Sequence, residues 1–480
     1  MSPLLVPLLW AAAAPTARAD EAPRLLPADT RIEQLDNGLT VVVVPLETEG
    51  LVSVQTWMDV GARDELVPGT TGYAHFFEHL MFEGSRALPR EPRQQRLLAL
   101  AVDENAWTSE DFTVYHSLAP AGSLGALLDL EGDRFARLHL DEAAVRRESG
   151  AVQGEWRKSQ ADPDNAAWTA LLDAAFRVHP YQHPVIGTDA DVQAMPDGTP
   201  RVKAFLRDHY RPERATLVVA GDVDPATVLA LVRESHGGWR RAGDGAARDL
   251  PAEPPQQAAR RVHVPWTAGQ ANPRVVVAWK VPAFVPGEAD SATLQLTAEL
   301  LGSRVSPLHR RLVDEEGLVR DLWVPTPDSR SPGLLLAWAT LAPGADPARV
   351  EAIIREEALA LSARGADGAG PVAPEVRERV ALARERARRL LLLSLDSPAA
   401  WGSAIGRAAT VTGDPRSLEA HAAALGAVRA ADVRGAAEAW LTDARSTVVV
   451  LGAPELLDGL PPPLPLPPPD ALAPGAEVPR

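Results

Sequence analysis

Hydrophobic and polar positions along this chain alternate in two ways, and the order in which they do so repeats. "TRIEQLDNGLTVVVVPL" (residues 30–46) places an Asp36-Asn37-Gly38 turn before a β-branched run, the pattern of a β-hairpin. "LVSVQTWMDV" from Leu51 alternates as a strand does. A helical pattern follows over residues 73–82, then a strand in "DFTVYHSLA" from Asp111, then long helical stretches from about 122 to 160. A strand at "ATLVVAGDV" and a helix from Pro225 close this part.

Residues 239–261, "WRRAGDGAARDLPAEPPQQAARR", are rich in Gly, Ala, Pro, Gln and charge and read as an inter-domain linker. Beyond them the order of elements begins again. "PRVVVAWKVP" resembles "VSVQTWMDVG", and a helix is expected over residues 292–301. The second half thus reads as a degenerate copy of the first. In that copy Leu296-Thr297-Ala298-Glu299-Leu300 stands where the first half has His75-Phe76-Phe77-Glu78-His79. Leucine replaces both histidines, so only the first half is expected to bind metal. A proline-rich tail, "PPPLPLPPPD" and beyond, should be extended or disordered with no role in the core. The expected divisions are a signal over 1–19, a first domain over 20–238, the linker 239–261, a second domain over 262–455 and the tail 456–480.

Composition narrows the chemistry. The 480 residues suit two to four domains, and 46% apolar with 23% charged residues is a globular balance. A net charge of −16 argues against nucleic-acid partners, whose phosphates it would repel. There is no cysteine, which excludes disulfides, thiol catalysis, thiolate metal sites and lipoprotein anchoring. Any metal must then be held by His and carboxylates. The apolar run over residues 4–14, followed by Ala17-Arg18-Ala19, reads as an export signal with its cleavage site, although no positive charge precedes the run. It is too short for a permanent span, and no later segment reaches the roughly 20 apolar residues required.

"HFFEHLMFEGS" (residues 75–85) carries the chemistry. On a helix His75 and His79 lie one turn apart, so both imidazoles leave the same face and can grip one ion. Glu78 shares that face and can hold a metal-bound water without ligating. The order is the reverse of the H-E-x-x-H pattern. A zinc site needs a third protein ligand. Downstream, "DEAAVRRESGAVQGEWRKS" offers Glu148 and Glu155, two helical turns apart on one face. His179 and His183 also stand four apart, but Pro180 and Pro184 break any helix there, and the pair reads as structural.

This arrangement resembles the pitrilysin/insulinase superfamily of zinc peptidases, family M16, and within it the group containing the mitochondrial processing peptidase. Glu155 follows His79 by 76 residues and Glu148 precedes it by seven, as in that family. "VGARDE", "GTTGYAHFFEHLMFEGS", "ENAWTSEDFTVYH", "HPYQHPVIGTDADV" and "HYRPERATLVVAGDVDP" match as well, and the likeness covers roughly residues 30–455. It implies an α+β fold: two homologous α/β-roll halves with antiparallel-rich sheets flanked by helices, together half of a clam-shell. It further implies one zinc ion per chain on His75, His79 and Glu155, Glu78 as general base, and Glu148 supporting a ligand. Asn105 and Ala106 would lie on an edge strand that pairs with an extended peptide substrate. The usual glycines before Asn105 are replaced by Val102-Asp103-Glu104.

One expected feature is missing. Active members carry an Arg and a Tyr in a stretch like R-E-K-x-G-L-x-Y of the second half, which help hold the tetrahedral oxyanion. Here "LVDEEGLVRDL" puts Val313 and Arg320 in those places, and all four tyrosines (Tyr73, Tyr115, Tyr181, Tyr210) lie in the first half. The resemblance then implies the catalytic chain of a heterodimer whose other M16-like chain supplies the pair. The alternative is a non-catalytic structural or binding subunit, a role the family also fills in chains that lost the metal motif. The signal reading makes the protein exported, and periplasmic. It predicts a mature chain starting at Asp20, which N-terminal sequencing of protein from its native cell would show; an uncleaved chain contradicts it.

Overall fold

The computed structural model describes residues 24–241, 249–269, 271–363, 372–464 and 466. The expected signal over 1–19 lies outside them, as does most of the tail. Two sheets organise the rest. The first has strands β1 (Arg31–Gln34), β2 (Thr40–Pro45), β3 (Leu51–Met58), β4 (Asp103–Thr108), β5 (Thr113–Pro120) and β6 (Ala215–Gly221), in the order β1-β2-β6-β3-β5-β4. The second has β7 (Arg260–Pro265), β8 (Arg274–Val281), β9 (Val319–Trp323), β10 (Gly333–Leu341) and β11 (Ser446–Gly452), in the order β7-β11-β8-β10-β9. In each sheet one parallel pair, β2 with β6 and β7 with β11, joins otherwise antiparallel neighbours. The second sheet therefore repeats the connection order of β2 to β6, which is the internal repeat visible in the hydrophobic pattern.

Local chemistry sets the ends of the elements. The β1–β2 turn forms where expected: Gly38 has φ +92°, a conformation costly for other residues, and Asn37 Oδ1 accepts from Leu39 N (3.2 Å). Helix α1 spans Tyr73–Leu80 and ends two residues earlier than the pattern suggested, passing into a tighter turn over Met81–Glu83. α2 spans Arg90–Ala99. The long helical stretch divides into α3 (Leu124–Arg137) and α4 (Glu142–Ser159), the second capped by Asp141, whose side chain accepts from Ala144 N (2.8 Å). α5 (Pro163–Ala175) follows at once, capped by Asp162 with proline at its first position.

The central strands are apolar without alternation because both faces of each sheet are covered. On β2, Val41 and Val43 face the core under α1 and α3, while Val42 and Val44 face a separate core with Ile405 and Ala408. On β8, Val275 and Val277 face one core, and Val276 and Ala278 face another with Ala167 and Leu171. The covering helices are exchanged. α5, from the first half of the sequence, lies on the second sheet, and the helix Pro398–Thr412, from the second half, lies on the first. Gln55 Nε2 donates to Ala399 O (2.8 Å), and Trp57 Nε1 donates to Gln55 Oε1 (3.0 Å), fixing the latter helix to β3.

The segments expected as linker and tail are partly built into the cores. Trp239 is buried against Phe135, with ring centroids 5.1 Å apart. The Glu253 carboxylate accepts the backbone N–H groups of Arg177, Val178 and His179 (2.9–3.1 Å), and β7 already begins at Arg260. Leu457 is buried and Leu460 packs on the second core, so the first residues of the expected tail are docked. Polar composition hid these anchors, because a few buried side chains suffice to hold such a segment.

The exchange makes a test of stability. Gly406 sits where a Cβ would fall inside the Trp57 indole, whereas a Cβ at Gly435, on another helix, meets nothing within 4 Å. Gly406→Ala should lower stability by about 1–3 kcal/mol through overpacking. Gly435→Ala should be neutral or stabilising by up to about 1 kcal/mol. Chemical denaturation midpoints of both variants check the pair.

Candidate metal centre

α1 owes its start to a residue the motif does not contain. Gly72 takes φ +86° at the N-cap, and the Glu65 carboxylate accepts both Gly72 N and Ala74 N at 2.7 Å. Glu65 is fully buried, and burial pushes its carboxyl well above the usual range, against the pull of these two bonds. This anchor fixes the rotation of α1, and hence where His75, Glu78 and His79 point.

α1 packs against α4, and the pairing brings three ligands together. Nε2 of His75 lies 3.5 Å from Glu155 Oε2, and Nε2 of His79 lies 3.4 Å from the same oxygen. One ligand atom from each residue can be chosen so that all lie within 4.8 Å of one another. Ligands about 2.05 Å from a tetrahedral zinc stand about 3.3 Å apart, so this donor set fits zinc with little movement. Burial, then the neighbouring His79, lowers the His75 pKa to about 4, so its ring is neutral and ready to ligate near pH 7. Glu155 is half-exposed, which leaves one side of the cluster open.

Glu78 shares the face but stands apart from the ligand set. Its Oε2 accepts the Thr108 hydroxyl at 2.6 Å. Burial raises its carboxyl above the usual range, and Thr108 and His79 pull it partly back. Burial thus favours its protonated form, as suits a group that takes up and releases a proton.

Glu148 is held the other way. Its Oε2 lies 3.7 Å from His79 Nδ1, and its Oε1 accepts Arg90 Nη1 at 2.6 Å. Burial opposes its charge, but His79 and Arg90 outweigh burial and keep the carboxyl below the usual range. Arg90 also reaches Glu83 (3.2 Å), and Arg147 pairs with Glu83. This lattice of two arginines and two glutamates orients the His79 ring from behind.

Asn105 and Ala106 lie on β4, which is the free edge of the first sheet. Asn105 stands opposite His116 and Ala106 opposite Tyr115. The Asn105 side-chain oxygen Oδ1 accepts its neighbour's N–H, Ala106 N, at 2.8 Å. In place of glycines, the approach to β4 is held by Glu104, gripped by both terminal nitrogens of buried Arg93 (2.7 and 2.8 Å). Arg93 also donates to Glu131, which Arg134 binds in turn (2.9 and 2.6 Å). Val313 packs against the second core, and Arg320 is exposed on β9, the edge of the second sheet. Leu296 and Leu300 are buried, and Glu299 pairs with Arg386 (3.1 Å).

Thr108, Glu65, Arg90, Arg93 and Glu83 were not singled out by the sequence reasoning. Thr108, Glu65 and Glu83 lay inside matched stretches, so their position was visible though their partners were not. Arg90 and Arg93 carry no local signal.

Residues 40–189 match the family model described as insulinase (peptidase family M16), and residues 200–367 match the peptidase M16 inactive domain. An uncharacterised zinc protease of Mycobacterium leprae is 29% identical over 394 residues, covering 80% of this chain and 83% of the relative. Zinc protease PqqE of Helicobacter pylori is 30% identical over 290 residues, covering 59% of this chain and 64% of the relative. The crystal structure of a protease from Helicobacter pylori superposes with TM-score 0.80 at 24% identity, covering 88% of this chain and 99% of that one. With both halves matched in order and the fold shared, the chain belongs to the M16 (pitrilysin/insulinase) family of peptidases.

Proposed function

We propose that this chain is a zinc metallopeptidase that hydrolyses peptide bonds in peptides or unfolded segments, and that it is the catalytic chain of a heterodimer. One observation carries the first part: three ligand atoms converge, at spacings that fit zinc, beside a partly buried carboxylate that is not among them. Zinc bound by His75, His79 and Glu155 supplies Lewis acidity, which polarises the scissile carbonyl and acidifies a nearby water. Glu78, steadied by Thr108, takes the proton of the attacking water and delivers it to the leaving amine. Glu148, held ionised by Arg90, orients His79 and strengthens its donation. The free edge of β4 offers Asn105 and Ala106 to an extended substrate by strand addition.

The second part rests on what the chain cannot supply. All four tyrosines are buried in the first half with their hydroxyls engaged. Tyr115 and Tyr210 bond each other (2.7 Å), Tyr181 donates to Asp111 (2.6 Å), and Tyr73 bonds Arg201. None is free to reach an oxyanion, so a second M16-like chain carrying the Arg and Tyr is the natural source. The second half here, with leucines in place of histidines, serves as scaffold. We further propose export, with cleavage before Asp20. Among the described residues no helix is long and apolar enough to cross a membrane.

Two measurements test this reading. Glu78→Gln should keep about one zinc per chain but lose peptide hydrolysis by at least about 10²-fold, while His79→Ala and Glu155→Gln should lose most of the metal. Near-stoichiometric zinc in both ligand variants rules the centre out. Peptidase activity of the isolated chain should be low and should rise on mixing with an M16-like chain that carries the Arg and Tyr. Full activity alone, unchanged by such a partner, rules out the heterodimer.

A further inference from the structure

The second half carries a groove that nothing in the proposed mechanism uses. It runs between the helices Pro347–Ala360 and Ala430–Trp440 and holds about 550 Å³. Its walls include Trp279, Arg355, Leu359, Ala437, Leu441 and Thr442. We propose that the proline-rich segment following Leu466 folds back into this groove as an extended strap. The strap does not depend on the peptidase reading.

The groove asks for apolar surface. Leu359 is 67% exposed at its lip, on a helix whose other side is buried through Val350, Ile353 and Ile354. A lone exposed leucine is ordinary, but one set over an apolar floor of Leu441, Ala437 and Trp279 marks a face left uncovered. The charges around it are already matched. Arg355 pairs with Glu351 (2.9 Å) and Asp443 (2.6 Å), and Arg311 binds Glu356 (2.7 Å). The sequence after Leu466, "PPPDALAPGAEVPR", suits such a place. Proline has a fixed φ and no N–H to satisfy, so a polyproline-type chain loses little freedom on docking and leaves few donors unpaired. Apolar and aromatic grooves take up such segments for that reason.

The chain is also aimed at the groove. Pro461 lies beside the His263 ring, and Leu464 N donates to Arg261 O (3.1 Å). These residues therefore run backwards along β7, toward Arg260, and occupy part of that otherwise free sheet edge. Arg260 stands opposite Thr447 on β11, and the next residue, Ser446, stands opposite Trp279 of the groove floor. A chain of contacts marks the same path: Arg261 binds Glu351 (2.6 Å), Glu351 binds Arg355, and Arg355 Nη2 donates to Ser446 Oγ (3.2 Å). From Glu351 to Leu359 the helix rises about 12 Å. Five residues of polyproline-type chain span about 15 Å, so Ala471 comes within reach of Leu359.

Because the chain has no cysteine, disulfide trapping in the full chain tests the strap directly. Ala471→Cys is combined with Leu359→Cys in one variant and with Ala258→Cys in another. Ala258 is exposed and stands just before β7, close to where the tail leaves. A tail roaming in solvent would offer its thiol to both positions at similar effective concentration, so the ratio of closure rates is the readout. Under dilute oxidation the Leu359→Cys pair should close at least about tenfold faster. Equal rates, a faster Ala258→Cys pair or closure of neither overturns the proposal. A second readout needs no engineered thiol. Cleavage of the full chain before Asp470 by an aspartate-specific protease should be slow, and Leu359→Glu, at an exposed position that opens no core, should speed it at least about fivefold with the circular-dichroism spectrum unchanged. Cleavage at the same rate in both chains overturns the strap as well.

Discussion

Each sheet has two apolar faces, and each half of the sequence covers only one of its own. The exchange of α5 for the helix Pro398–Thr412 solves both shortages at once. Fully burying a Val or Leu is worth about 1.5–3 kcal/mol, so leaving Val42, Val44, Val218 and Ile405 in water would cost a large share of the 5–15 kcal/mol by which a typical domain is stable. The half that carries the candidate ligands therefore depends on the half without them. The dependence reaches the centre itself: α4 ends four residues after Glu155, and α5, seated on the second sheet, begins at Pro163. The loaned helix thus anchors the C-terminal end of the helix that brings Glu155 to the histidines.

At the centre, two glutamates are driven in opposite directions. Glu148 has Arg90 and His79 beside it and stays charged, fit to hold an imidazole by attraction. Glu78 has a hydroxyl and a buried surround, and its affinity for a proton rises. Separation of acid strengths by environment is how two carboxylates divide holding from proton transfer. Thr108 ties Glu78 to β4, so the strand that would pair with the substrate also steadies the base. In the proposed function one strand would thus set both peptide position and proton transfer.

The same packing leaves the chain no tyrosine hydroxyl without a partner. Its tyrosines were spent on the first core and on the junction, where the Tyr181 hydroxyl bridges Asp111 and Ser331 N (2.6 and 3.2 Å). Arg320 sits exposed on β9, the counterpart in the second sheet of edge strand β4.

Sequence by itself determined the hairpin at Asn37-Gly38, the repeat of two similar sheets and the spacing of His75, His79, Glu148 and Glu155. These are legible because they rest on local rules: positive φ at glycine, period-two and helical patterning, and one-turn spacing of ligands. The family resemblance also implied an edge strand at Asn105 and Ala106, but not what shapes the approach to it once the usual glycines are gone. What restores the shape is Arg93, which closes on Glu104 from another element. Only the tertiary structure decided that contact, along with the Glu65 anchor of α1, the Arg90 clamp on Glu148, the docked linker and the helix exchange. Each joins residues distant in sequence or relies on which face a side chain finds covered. Periodicity tells that a face is apolar; it does not tell which helix will cover it, and that choice belongs to the packing of the whole chain.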